Sequence, residues 1–392
     1  MADIFQGLVN EDRYQLGKQP FQLILGQICC RWRGLVLNLP LLWTQLRISM
    51  RVHPQFVRLF LRRSKDVPLD IFMVEEGWRG TSTGVYNILH NLIPHSWRWR
   101  RLVVHAYGIE IIHCVLHHLT NIHAPRLECI DLRTASSFHH DEVLSYPFLT
   151  MNTFSLRSVQ FHGFRPPSAL FSDRLACLDL TNTSIHDTSE FCSLLCASAE
   201  LRHLRIENVS GISNDKLEKR VVTIPSLLSL DVEMMDTLTV FVFLFAISAK
   251  SLAFLRLARV DLNYPHGLHR FQDTCTHEPK FPGLHTLVLI FTQLPETMPI
   301  TFYRGTSNVR HLMLENSGSS ILNDIEKHSQ QCMPDEGPLW PHPQMLSIVN
   351  RLDNISYTQL RIAKLSMPRA VKTVEGVSHR VGVTSNFPSN WY

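Results

Sequence analysis

The sequence predicts an α/β solenoid, a curved parallel sheet with outer helices, preceded by a small helical module. Two observations carry that reading. The first is a short phrase that recurs from residue 99 onward: an apolar residue, two of any kind, an apolar residue, one of any kind, and a further apolar residue. The second is an amphipathic stretch at residues 20–48, PFQLILGQICCRWRGLVLNLPLLWTQLRI, which differs in period from everything after it.

Copies of the phrase begin at Trp99, Leu127, Leu156, Leu175, Leu201, Leu227, Leu252, Leu284 and Val309. Their starts lie 28, 29, 19, 26, 26, 25, 32 and 25 residues apart, which brackets the period of leucine-rich repeats. The last two apolar positions alternate on a short strand and point inward, and the first seals the turn that enters it. Asn182, Asn208 and Asn316 sit two places past the last apolar position, where such a repeat prefers Asn. The segments 109–119, 191–197 and 238–247 read as helices returning along the outer side. One repeat cannot bury its apolar face alone, so stacking stabilises the array, with about 1.5–3 kcal/mol for each fully buried Leu. Residues 264–283 read as an inserted loop, a poor tenth copy falls at 343–348, and the strand-like RIAKLSM near residue 361 reads as a cap on the last repeat.

In the N-terminal stretch, Pro20 suits a first helical position, and Leu25, Ile28, Cys29, Trp32, Val36 and Leu39 recur at helical spacing. One helix is therefore expected to run to about Asn38, where Pro40 stops it, with Trp32 as the anchor of the module's core. Leu41, Leu42 and Trp43 lead into a short strand. Pro54 opens a further helix with Val57, Phe60 and Leu61 on one face. After Pro68, Leu69, Ile71 and Met73 alternate as a strand does. The division expected is a helical module at 1–50, a bridging helix and strand at 51–98, the repeat array at 99–350 and a cap or tail at 351–392.

The helix bearing Leu25, Gly26, Gln27, Ile28, Cys29, Trp32 and Arg33, followed by Pro40, Leu42 and Trp43, resembles the second half of an F-box of the kind found in fungal F-box proteins. The run from Leu61 to Ile71, Leu-Arg-Arg-Ser and then Pro-Leu-x-Ile, resembles the bridge that follows the box in those proteins. The resemblance departs at residues 1–19, which lack the Leu-Pro-x-Glu turn and the Leu- and Ile-rich first helix, so the N-terminal half of the box is missing or degenerate. It implies that Leu25, Ile28, Cys29, Trp32, Arg33, Leu42 and Trp43 form the box, with its exposed members facing a Skp1-like adaptor and, through it, a cullin complex. The repeat array would then hold an unknown protein target.

Bulk composition agrees with a folded protein of this kind. Hydrophobic residues make up 45% and charged residues 18% of the 392, and a formal charge of +4 gives no sign of a nucleic-acid or membrane partner. Nine cysteines without a secreted-scaffold rhythm fall mostly in apolar runs and read as buried thiols of a reducing compartment, cytoplasmic or nuclear. The N-terminus shows no signal-peptide pattern, and the longest apolar run, 238–249, is too short to span a bilayer.

Candidate chemistry is thin. Gly80-Thr81-Ser82-Thr83-Gly84 matches the G-x-S-x-G string, but no hydrophobic strand runs into the serine, and a helix cap is the plainer reading. His113 and His117 supply half a zinc shell at most, with Cys114 and His118 beside them, and Cys192 and Cys196 read as packing residues on one helix. No enzyme activity, metal or cofactor is expected. The functional surface is instead the concave face of the array, where Arg133, His162, Arg205, Glu207, Glu233 and Arg256 project outward with mixed signs. That pattern suits a protein face rather than a phosphate track. The runner-up reading is a leucine-rich-repeat interaction scaffold with no ligase connection, its N-terminal module serving only as a cap.

Overall fold

The recurring phrase becomes a parallel ladder. The structure, a computed structural model, describes residues 20–49, 53–75, 82–119, 122–135, 155–164, 173–185, 188–212, 221–235, 237–260, 281–290, 292, 306–315, 345–349 and 371–373. These fall in two compact units, one holding the residues up to Leu230 with Val242–Ala249, the other Asp231–Phe241 with those from Lys250 on. The expected loop at 264–283, Asn316, RIAKLSM and the tail lie wholly or mostly outside the described residues, as do residues 1–19.

In the first unit, strands β1 (Gln45–Ser49), β2 (Leu69–Val74), β3 (Trp99–Ala106), β4 (Cys129–Thr134), β5 (Ser158–His162), β6 (Cys177–Thr181) and β7 (His203–Glu207) pair in sequence order, every pair parallel. Register aligns the inward positions into two columns. One runs Leu46, Ile71, Leu102, Ile130, Val159, Leu178, Leu204, and the other Ile48, Met73, Val104, Leu132, Phe161, Leu180, Ile206. All fourteen are at most 1% exposed. Two strands stand outside the nine copies counted from the sequence. Trp43-x-x-Leu46-x-Ile48 and Pro68-x-x-Ile71-x-Met73 obey the same phrase with Trp and Pro in the first place, so the ladder begins at Gln45.

The turn into each strand is also a repeated structure. The amides of Leu127, Leu201 and Leu227 donate to the carbonyls of Ala124, Ser198 and Ile224 at 3.1, 3.1 and 3.3 Å, closing a β-turn whose second residue is Pro125, Ala199 or Pro225. At the far end of β5, β6 and β7, Gly163, Asn182 and Asn208 adopt left-handed backbone with φ of 85°, 50° and 48°. The kink turns the Gly163 and Asn182 amides onto Thr181 O and Glu207 O of the next strand, each at 2.9 Å. The Asn preference seen in the sequence is therefore a conformational one, since Asn tolerates this region better than other side chains.

Helices α1 (Phe21–Ile28) and α2 (Cys30–Asn38) replace the single N-terminal helix expected. The chain is extended at Cys29, with φ −158° and ψ 165°, and the Cys29 carbonyl and thiol accept from the amides of Arg33 and Trp32 to start α2. Gly26 weakens the last turn of α1, and its carbonyl takes the Arg33 Nε–H at 2.8 Å instead of an amide of a continuing helix. The break resets the helical phase. Leu25 and Val36 stay buried, Ile28 and Cys29 turn outward, and Trp32 is half-buried.

The core anchor is Trp43, not Trp32. It is 1% exposed, donates from Nε1 to Val36 O at 2.8 Å, and meets Phe60 edge-on at 5.0 Å. Phe60 lies on α3 (Pro54–Arg63) with Val57 and Leu61. The end of α3 is capped by a buried cation: Arg98 donates to Leu61 O at 2.9 Å, Val67 O at 3.3 Å and the Ser64 hydroxyl at 2.9 Å. That placement satisfies late carbonyls and opposes the negative end of the helix dipole.

Helices α4 (Ser82–Leu92) and α5 (Ile109–Leu119) pack side by side, α5 also lying against β3 and β4; α6 (Thr188–Ala197) follows β6. A two-stranded parallel pair, β8 (Val222–Thr223) with β10 (Ile247–Ser248), stands apart from the ladder. Strand β9 (Ser229–Glu233) and helix α7 (Thr237–Ala246) span the division between units. At ten residues α7 is about 15 Å long. Among the described residues no helix is long and apolar enough to cross a membrane.

In the second unit, β11 (Phe254–Ala258), β12 (Thr286–Ile290), β13 (His311–Glu315), β14 (Met345–Val349) and β15 (Val371–Thr373) continue the same parallel scheme. Leu255, Leu287 and Leu312 form one inward column and Leu257, Leu289 and Leu314 the other. Entry turns recur at Phe281–Leu284 and Thr306–Val309, both closed at 3.0 Å. Met234 and Arg259 hold the left-handed position, with φ of 52° and 51°, and donate to Ala258 O and Ile290 O.

Trp43→Ala should cost about 3–5 kcal/mol in denaturant unfolding and expose residues 20–63 to protease, whereas Trp32→Ala should cost less than half as much. Met234→Asn should raise the melting temperature of the protein, through a gain of up to about 1 kcal/mol, because Asn occupies left-handed backbone at lower strain.

Candidate protein-interaction surfaces

Two surfaces stand out, one on the N-terminal module and one on the outward face of the ladder. On the module, Leu25, Leu42 and Trp43 are sequestered, and Gln22 Nε2 donates to Leu42 O at 2.6 Å to seal them. Outside that core, Ile24, Ile28 and Leu41 remain 43%, 56% and 55% exposed, with Cys29 and Arg33 exposed nearby in sequence. Of the seven box residues expected, Leu25, Leu42 and Trp43 are structural, Trp32 is half-buried, and Ile28, Cys29 and Arg33 face solvent. Ile24 and Leu41 were not singled out by the sequence, because their exposure follows from the break at Cys29 and the 3-10 turn Pro40–Trp43.

On the ladder, the outward positions of the first unit form a polar lattice. Arg133 grips Asp131 with two hydrogen bonds of 2.7 and 2.9 Å and reaches Gln160 Oε1 on the next strand at 2.9 Å. His105 Nε2 lies 3.6 Å from the same carboxylate. Burial alone would raise the Asp131 carboxyl, but hydrogen bonds and charge from His105 and Arg133 outweigh it and hold the group below its ordinary value. Two strands further, Arg205 bonds Glu207 at 2.6 Å and stands 3.9 Å from Asp179, which accepts the Thr181 hydroxyl at 3.0 Å. That longer contact compensates poorly: burial pushes the Asp179 carboxyl up to about 6, against the opposing pull of Arg205 and Thr181. His162, linked to Asn182 Nδ2 at 3.0 Å, is held below its ordinary value by burial and by Arg133.

The second unit repeats the device with different residues. Arg256 bridges Asp231 at 2.6 Å and Glu233 at 3.0 Å. Of the six face residues expected from sequence, all project outward. Asp131, Asp179 and Asp231, outward strand positions two residues before Arg133, Thr181 and Glu233, are the acids that Arg133, Arg205 and Arg256 meet.

Strand β2 ends at Val74 and α4 begins at Ser82, while Gly80 and Thr81 of the Gly-Thr-Ser-Thr-Gly string lie outside the described residues. His118 Nδ1 contacts Cys114 O at 2.7 Å and its ring takes the edge of Tyr86 at 4.8 Å. Among the described residues no group of three metal-ligating side chains converges. The described cysteines are less buried than their apolar surroundings suggest: among them Cys192 alone is buried, Cys29, Cys30 and Cys196 are exposed, and Cys114, Cys129 and Cys177 are intermediate, while Cys275 and Cys332 lie outside the described residues.

Strand order, register and the two apolar columns define a leucine-rich-repeat-like solenoid of the α/β class. No family model and no curated protein matches the sequence. Among solved structures the chain is similar to one in the crystal structure of the Rad7 and Elc1 complex in yeast, at 12% identity and a TM-score of 0.31 over 95% of this chain and 92% of that one.

Asp179 binds its proton more tightly in the folded state than in the unfolded chain, so the cost of charging it is present above about pH 6 and vanishes below its ordinary 3.8. The stability gained by Asp179→Asn should therefore be largest at neutral pH and fall to nothing near pH 4, as read by urea unfolding across that range.

Proposed function

We propose that this protein is the substrate-recognition subunit of a Skp1-cullin-F-box type ubiquitin ligase, docking a Skp1-like adaptor through its N-terminal module and a protein target through the ladder face. The observation that carries this reading is the surface of the module. Ile24, Ile28 and Leu41 stay exposed although Leu25, Leu42 and Trp43 beside them are sequestered, and apolar side chains held out of a finished core mark a contact surface. They belong to the stretch that resembles an F-box. The protein's part in catalysis is proximity: it breaks and makes no bonds, needs no cofactor or metal, and raises the effective concentration of a target lysine near a ubiquitin-charged enzyme brought by the cullin complex. Such a receptor works in the cytoplasm or nucleus.

One observation favours a second reading. Strand β1, the last element of the module, is the first strand of the ladder, so the module also caps an array end that otherwise exposes apolar core and unpaired backbone. A scaffold with no ligase connection needs only that cap.

The two separate on adaptor binding. The Ile24→Asp, Ile28→Asp double variant alters exposed side chains only and leaves Trp43 in place. Purified Skp1-like adaptor should be retained by the intact chain and lost at least tenfold by the variant, measured in a pull-down with both proteins shown to fold by circular dichroism. Equal retention, or none by the intact chain, would leave the scaffold.

A further inference from the structure

The face of the first unit is layered by charge. Asp70 is 8% exposed beneath Arg100 at 48%, and Asp131 is 10% exposed beneath Arg133 at 44% and His105 at 41%. The layering follows from side-chain length: a short carboxylate stays near the sheet, and the longer cation folds over it and keeps its outer edge in water. Both Asp70 oxygens are taken by Arg100, through Nε at 2.8 Å and Nη2 at 2.6 Å. That leaves Arg101, the register partner of Asp70, half-exposed and with no hydrogen bond or ion pair to another described residue. A guanidinium carries five donors and is charged at every physiological pH, so the half-exposed Arg101 can offer donors that no described residue takes to the acceptors of a partner.

Along β3 the outward residues are Arg101, Val103 and His105. Val103, 9% exposed, pairs in register with the half-buried Phe72, which supplies the accessible apolar surface, and His105 pairs with Arg133. Arg101 thus stands at one end of an apolar step and His105, with Arg133 beside it on β4, at the other, about 13 Å away along the strand. An extended peptide places alternate side chains at the same interval on one face.

We propose that the patch of Arg101, Phe72, Val103, His105 and Arg133 holds an extended segment of the target protein in which an apolar side chain is flanked, two residues away on either side, by acidic ones. The proposal rests on the reading of the ladder face as the recognition surface and names the chemistry it selects. Arg101 answers one acidic side chain, the Arg133 edge with His105 answers the other, and Phe72 with Val103 receives the apolar group between them. The buried Asp131 holds Arg133 in place, and Asp70 and Asp131 both repel a carboxylate that misses its register. An apolar step between the cations and an acidic floor beneath them disfavour nucleic acid, whose charges repeat without interruption.

The test is fluorescence anisotropy with the full chain and a labelled peptide of sequence Gly-Asp-Ser-Leu-Ser-Glu-Gly, beside a copy with Asn and Gln in place of the acids. The acidic peptide should bind at least tenfold more tightly. Arg101→Gln, a change at a half-exposed side chain, should remove that preference, and Arg101→Glu should transfer it to a peptide with Lys in the first acidic position. Equal affinity for the acidic and amide peptides, a preference that survives Arg101→Gln, or tighter binding of an oligouridylate of equal charge would overturn the proposal. Peptide binding is read on the chain alone, so its failure is distinguishable from a failure to bind adaptor.

Discussion

Every part of this protein depends on the registered stacking of two apolar columns. A single strand with two inward Leu or Ile residues buries nothing by itself; it becomes stable only when the strands on either side cover those residues and complete its hydrogen bonds. Parallel pairing with one-to-one register, from Leu46 to Leu204 in the first unit and from Leu255 to Leu312 in the second, is the form that satisfies both needs at once. The entry turns and the left-handed residues at strand exits follow from the same constraint. Each is a way of bringing the chain into and out of the column at a fixed height while its amides still find carbonyls.

The same constraint explains why the N-terminal module is not a separate bead. Trp43 serves two structures at once. It fills the seal position before Leu46 and Ile48, and it closes the module by bonding Val36 O and packing against Phe60. Arg98 ties the end of α3 to the residue before Trp99, the next seal. Both contacts join a helical element to a strand of the ladder, so loosening either one disturbs module and array together.

The fold was legible because a three-position phrase repeated nine times leaves little freedom in where strands lie or which way they point. What escaped was whatever depends on contacts distant in sequence. Two further copies, sealed by Trp43 and Pro68, were read only as isolated strands, although their spacing is the same. Helical periodicity runs unbroken through Cys29, so the break there could not be seen; it is set by Arg33 reaching back to the Gly26 carbonyl, and once made it moves Trp32 from the core to its edge. The outward positions of Arg133, Arg205 and Arg256 were readable from strand alternation. Which carboxylate each one grips was not, because that is decided by side-chain reach across the sheet. Asp179 shows the limit: it has a partner of the right sign, yet at 3.9 Å the compensation is incomplete and the carboxyl is left easy to protonate.

A rigid interior also determines what kind of recognition the outer face can perform. The strands cannot slide, because a shift of one residue would turn the apolar columns to solvent. Outward side chains therefore sit on a fixed lattice, about 4.8 Å between strands and about 6.6 Å between alternate residues of one strand. On such a lattice, selectivity comes from which positions carry charge and how firmly each charge is held, rather than from backbone movement. Arg133, Arg205 and Arg256 are each held by carboxylates on the sheet floor, so little side-chain entropy is lost when they meet a partner. A partner that matches the spacing meets groups already in place; one that is offset by a residue meets the acids beneath. Discrimination by position is thus built into the same register that holds the protein together.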